Sequence, residues 1–147
     1  MNRDERPIGV FDSGVGGLTV MRRLVEALPD EHMIYLGDTA RVPYGNRGSE
    51  TVRQYALNAS RVLLNRDVKA LVVACNTASA HAIDTLRTRL DVPVIGVIEP
   101  VARRANDISK DGAIGMIGTR GTVASNCDRD SIQSRDAQRH GIQVACP

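Results

Sequence analysis

The sequence predicts an α/β fold, a parallel sheet flanked by helices, and three observations carry that expectation. Short apolar runs alternate with segments of helical period almost from end to end. One run, Ala70 to Ala74, is apolar at every position, as a strand covered on both faces should be. Asp12, Ser13, Asp38, Cys75, Asn76 and Glu99 all follow the ends of such runs, where open parallel sheets keep their working groups.

Element by element, Ile8 to Phe11 reads as a first strand, closed by Asp12-Ser13-Gly14. A helical face follows at Leu18, Met21, Leu24, Val25 and Leu28, and Pro29-Asp30 breaks it. Met33 to Leu36 is the second strand. Thr39 to Gly48 has no period and holds Pro43, Gly45 and Gly48, so it reads as a loop. Ser49 suits an N-cap, and Val52, Tyr55, Ala56, Ala59, Val62 and Leu63 form the buried face of its helix. After the Ala70 to Ala74 strand, Asn76 or Thr77 can cap a helix whose inner face is Ala78, Ala82, Ile83, Leu86 and Leu90. Val94 to Ile98 is the fourth strand. This order predicts right-handed crossovers and helices on both faces of the sheet.

A domain boundary falls near Glu99-Pro100, giving a first domain over residues 1–98 and the start of a second over 99–147. The second holds a helix from Val101 to about Ile108, a strand at Ala113 to Ile117, a Gly-Thr-rich turn at 118–122, and a strand signal at Ile142 to Ala145. So small a unit buries too little apolar surface to offset its ordering entropy, so the chain reads as cut off inside a domain.

Composition excludes several functions. Aromatic residues make up 3% with no Trp, and the formal charge is +2 with basic residues scattered, which disfavours nucleic-acid binding. The polar start, Met1 to Pro7, leads into no apolar run long enough for a signal or a membrane span, so the expectation is a cytoplasmic protein. Cys75, Cys127 and Cys146 are far apart and odd in number, which predicts free thiols. The dispersed His32, His81 and His140 give no zinc-ligand spacing, and no metal is expected.

Four segments could carry chemistry. Cys75 follows a buried strand and precedes a helix, whose first-turn amides and dipole favour a thiolate. The other reading of that position is an inert buried thiol. Gly14, Gly16 and Gly17 suggest a phosphate loop, but the spacing is not G-x-G-x-x-G and Asp12 puts a carboxylate where pyrophosphate would sit. Asp12 suits a proton acceptor or orienter near a thiol, unless it merely caps a turn. The Leu36 to Gly48 segment is long and irregular, as binding loops often are, and Tyr44 offers a hydroxyl there while Gly45 exposes backbone. Ile117-Gly-Thr-Arg-Gly-Thr122 suits an anion-binding turn.

Taken together, Asp-Ser-Gly-Val-Gly-Gly (12–17), Gly-Asp-Thr-Ala-Arg-Val-Pro-Tyr-Gly (37–45), Ala-Cys-Asn-Thr-Ala-Ser-Ala (74–80), Val-Ile-Gly-Val-Ile-Glu-Pro (94–100) and Ile-Gly-Thr-Arg-Gly-Thr (117–122) closely resemble the glutamate racemase family. The resemblance covers residue 7 to about 125. It implies a Rossmann-like racemase domain and interconversion of L- and D-glutamate without cofactor or metal, supplying D-glutamate for peptidoglycan. Glutamate is then the small-molecule partner, and a homodimer is left open. The family uses two cysteines on opposite faces of the α-carbon, which suits inversion through a planar carbanion. By matching motif, Cys75 is the first thiol and Asp12 assists it. Ser13 binds substrate, Tyr44 and Gly45 line the pocket, and Asn76 and Thr77 hold the substrate's carboxylate and amino groups. Thr119 reaches the substrate from the second domain.

The sequence also departs from that pattern. The family's second thiol sits in a Gly-Cys-Thr-His motif that these 147 residues do not contain, and Cys146-Pro147 does not match it. Ser125-Asn126-Cys127-Asp128 fits poorly as well. The expectation is a first half-site with little racemase activity by itself. Competing readings are a related cysteine-dependent aspartate racemase or arylmalonate-type decarboxylase, and a non-catalytic remnant.

Overall fold

The chain is described by a computed structural model covering residues 4–109, 112–134 and 136–146; Met1 to Arg3 of the polar start and Pro147 lie outside them. Four parallel strands, β1 (Ile8–Asp12), β2 (Met33–Gly37), β3 (Ala70–Val73) and β4 (Val94–Gly96), form one sheet in the order β2-β1-β3-β4. Helices α1 (Leu18–Ala27), α2 (Ser49–Leu64) and α3 (Asn76–Arg89) connect them. Then come α4 (Ile98–Ile108), β5 (Ile114–Gly118), α5 (Arg120–Ser125), α6 (Cys127–Gln133) and β6 (Gly141–Ala145), with β5 and β6 paired in parallel as a second sheet.

Strand alternation sorts the first sheet's side chains onto two faces. Phe11, Leu71 and Val73 pack against α2 and α3, with Val52, Ala56, Leu63, Ala78, Ala82 and Leu86 all 1% exposed or less. Val10, Val72 and Ala74 face α1 through Val20, Met21 and Leu24. Fully burying one such aliphatic chain contributes about 1.5–3 kcal/mol, so the first face is the main source of stability.

Several expected details shift. The expected α1 stripe only half holds, because Leu18, Val25 and Leu28 stay largely exposed. On α2, Val62 falls off the 52-56-59-63 stripe and is exposed, while Leu57 is buried instead. The α2 cap is Gly48, in extended conformation, and Ser49 is already the first helical residue. Neither Asn76 nor Thr77 caps α3; Cys75 does, because its sulfur accepts the Ala78 N–H at 3.4 Å. The apolar run at 94–98 splits, since only Val94 to Gly96 pair with β3 and α4 begins at Ile98. Pro100 permits that early start, because a first-turn residue needs no N–H. The 118–122 turn opens a helix, capped by the Thr119 hydroxyl accepting Thr122 N–H. Asn126, at φ 57°, ends α5 and begins α6 with the left-handed backbone that Asn tolerates. Within the expected 39–48 loop, Tyr44 to Asn46 make one 3-10 turn.

Candidate functional site

The strand order reverses between β1 and β3: β1 connects outward to β2, while β3 connects outward to β4. Loops leaving two such neighbours diverge, and the crevice between their carboxyl ends is where this class of sheet binds ligands. Here that position is occupied by Asp12-Ser13 after β1 and Cys75-Asn76 after β3. A cleft of about 980 Å3 opens there, lined by Asp12, Ser13, Cys75, Asn76, Thr77 and Thr119, with an apolar wall that includes Val20, Leu24, Ile95, Val101 and Ile117. Its size is at the upper end of small-molecule pockets.

Cys75 is 7% exposed. Its Sγ accepts from Ala78 N–H, and it donates to Ser13 Oγ at 3.3 Å. The thiol is thus held at a helix start between an amide donor and a hydroxyl acceptor, with its sulfur on the cleft wall. Asp12 is 5% exposed, and a buried carboxylate needs donors. Among the described residues it has two: Gly17 N–H at 2.9 Å and the Tyr35 hydroxyl at 3.3 Å, both on Oδ2. Among the described residues the thiol's side-chain partner is Ser13, not Asp12. Gly17 must be glycine for this arrangement, since a Cβ there would stand 2.6 Å from Asp12 Cβ and 3.0 Å from Ala74 Cβ.

Thr77, Thr119 and Thr122 form a triangle of hydroxyls with sides of 3.3, 3.3 and 3.0 Å. Thr77 is on α3 and Thr122 on α5, so the triangle joins the first sheet's layer to the second's. Asn76 is exposed on the cleft wall. Tyr44 and Gly45 stand behind this surface and do not line the cleft. Tyr44 is 1% exposed, packs on Phe11 and Tyr55, and donates its hydroxyl to Asp38 Oδ2 at 2.6 Å. Burial, then Asp38, pushes its phenol far above the usual tyrosine range. Gly45 lies so close to Thr119 that a Cβ would meet its Cβ and Cγ2 at 2.6 Å.

Sequence reasoning missed Tyr35, and it placed Thr122 in an anion-binding turn without giving it a role of its own. The signal for Thr122 was its i+3 spacing from Thr119, which fits a helix start rather than a turn. Tyr35 looked like ordinary strand filling. Glu99, singled out at a strand end, is exposed and paired with Arg87 at 2.7 Å. All three cysteines are free; Cys127 donates to the Ala80 carbonyl at 3.2 Å and Cys146 is exposed, and neither lines the cleft. Among the described residues no helix is long and apolar enough to cross a membrane.

Residues 8–147 match the Asp/Glu/Hydantoin racemase family. A glutamate racemase of Geobacter metallireducens is 51% identical over 142 residues, covering 97% of this chain and 53% of that protein. The crystal structure of a glutamate racemase isoform from Bacillus anthracis superposes with a TM-score of 0.95 at 44% identity, over 99% of this chain and 55% of that one. A Francisella tularensis glutamate racemase in complex with D-glutamate superposes at 0.89 with 37% identity, over 98% and 54%. The chain spans about half the length of the curated relatives it matches. A strand-end thiol at the switch point of a parallel sheet, a family match over residues 8–147 and similar solved structures lead to one conclusion: this chain belongs to the Asp/Glu/hydantoin racemase family.

Proposed function

We propose that this chain carries the first half-site of a cofactor-independent glutamate racemase, with Cys75 as the thiol that exchanges the α-proton on one face of glutamate. The observation that carries the reading is Cys75 itself, a helix-capping thiol at the sheet's switch point, hydrogen-bonded to Ser13 and facing the cleft. The bound D-glutamate of the Francisella relative supports the substrate class. In this reading Asp12 supplies the carboxylate of the same wall, Ser13 orients the thiol, and Asn76, Thr77 and Thr119 offer polar groups to substrate. Tyr44 and Gly45 contribute through the loop they hold against Thr119. The two separate sheets support a first domain over 1–98 and part of a second over 99–147.

Removing the very weakly acidic α-proton requires stabilisation of the developing carbanion as well as a base, and fixed donors in a closed site supply it. Inversion further requires an acid on the opposite face. Within these 147 residues neither Cys127 nor Cys146 lines the cleft. The polypeptide is therefore expected to exchange without inverting. Each glutamate enantiomer, incubated with it in heavy water, should be followed by proton NMR and chiral chromatography. One enantiomer should lose its α-proton signal with configuration retained, and Cys75→Ala should reduce that rate to the buffer blank. Rapid appearance of the other enantiomer would overturn the half-site, and absence of exchange would overturn the reading.

A further inference from the structure

We propose that Tyr35 is a positioning residue for the Cys75 chemistry: from edge strand β2 its hydroxyl pins the Asp12–Gly14 turn, and through Ser13 it places the thiol's hydrogen-bond partner. The mechanistic half of this inference rests on the function proposed above; the structural half does not.

The geometry follows from strand register. Tyr35 is level with Val10 on the neighbouring strand, and Asp12 is level with Gly37. Side chains two apart on a strand share a face, so Val10, Tyr35 and Asp12 all point to the α1 side. From there the phenol reaches toward the carboxyl end of the sheet, where its oxygen lies 3.3 Å from Asp12 Oδ2 and 3.1 Å from the Gly14 carbonyl. A carbonyl and an ionised carboxylate can only accept, so one phenolic hydrogen serves both. The residues it holds are those on either side of Ser13, whose Oγ accepts the Cys75 thiol.

Two features keep this brace rigid. The Gly14 carbonyl is seated against Gly37, where a Cβ would collide with it. The second Asp12 donor, Gly17 N–H, is buried at the start of α1. Asp12 is nearly inaccessible, so water does not freely replace a lost donor there. Burial, then the charge of Asp12, raises the Tyr35 phenol to about 12, so it remains a donor at neutral pH.

The test compares the 147-residue chain with Tyr35→Phe, Asp12→Asn and the double variant. Gly17 N–H reports directly on the Asp12 carboxylate. Its amide exchange, read by nitrogen-edited NMR, should accelerate at least about tenfold in Tyr35→Phe, while Val10 and Val72 amides keep wild-type rates. An unchanged Gly17, or uniform acceleration everywhere, would overturn the brace. In heavy-water exchange of glutamate, Tyr35→Phe should lower kcat about tenfold with KM within about twofold. In the Asp12→Asn background it should cause no further loss, and additive losses would overturn the route through Asp12. If the wild-type chain exchanges no glutamate, the function proposed above falls, and the Gly17 amide still decides whether Tyr35 holds the turn. Should Tyr35→Phe not fold, 3-fluorotyrosine in the otherwise native chain is the second probe. Its Tyr35 fluorine signal should move on Asp12→Asn, and an unmoved signal would count against the proposal.

Discussion

The two sheets of this chain differ in how they are held. In the first, Val10, Phe11, Leu71 and Val73 are wholly buried, and helices cover both faces. In the second, neither β5 nor β6 has a buried residue, and Ile117, Ile142 and Val144 are 77%, 57% and 56% exposed. Yet both supply the cleft, with Asp12, Ser13 and Cys75 from the first and Thr119 and Thr122 from the second. The difference teaches that the thiol side is built on a wholly buried core, whereas the opposing hydroxyls of α5 sit beside a sheet with no buried residue and reach the first layer through α3 and the Tyr44–Asn46 turn.

The contrast is most easily broken in the cores. Leu71→Ala, in central strand β3, should cost about 2–5 kcal/mol in urea unfolding, whereas Ile117→Ala should cost about 0.5 or less. Comparable losses would mean the second sheet is held as firmly as the first. The junction comes next. Gly45→Ala forces a Cβ into Thr119, and overpacking of this kind costs about 1–3 kcal/mol. Thr119→Gly should rescue it, and Gly48→Ala, with open space around it, should stay within about 0.5 kcal/mol of the parent.

A pH series sharpens the same comparison. The folded chain holds Tyr35 at about 12 against an ordinary 10.0, so between those two values the phenol stays neutral when folded but ionises when unfolded. That contribution is complete below pH 10 and declines as pH rises from 10 toward 12. Urea midpoints from pH 9 to 11.5 should fall, and fall less in Tyr35→Phe. The smallest effect should come from Glu99→Gln, which removes the exposed Arg87 pair between α3 and α4. Arg87 holds the Glu99 carboxyl below its ordinary 4.5, so the pair contributes above that pH and is lost as pH falls through the lowered value. Such a pair is worth about 0–1 kcal/mol, and high salt should erase the difference.

Apolar period determined most of the fold. It is a local property, so β1 to β4, α1 to α3 and the parallel class were legible, as was the clustering of Asp12, Ser13, Cys75 and Asn76 at strand ends. The motifs of those loops were enough to identify the family. Three-dimensional packing decided the rest. No local signal makes a cysteine the cap of α3, because that depends on where β3 delivers the sulfur relative to the Ala78 amide. None commits the Tyr44 hydroxyl to Asp38, or brings Thr77 within hydrogen-bonding distance of Thr119 and Thr122 across 42 and 45 residues. And Tyr35 reads as strand filling until register sets it beside Val10 and its oxygen meets Asp12, because a cross-strand contact is a property of pairing, not of composition.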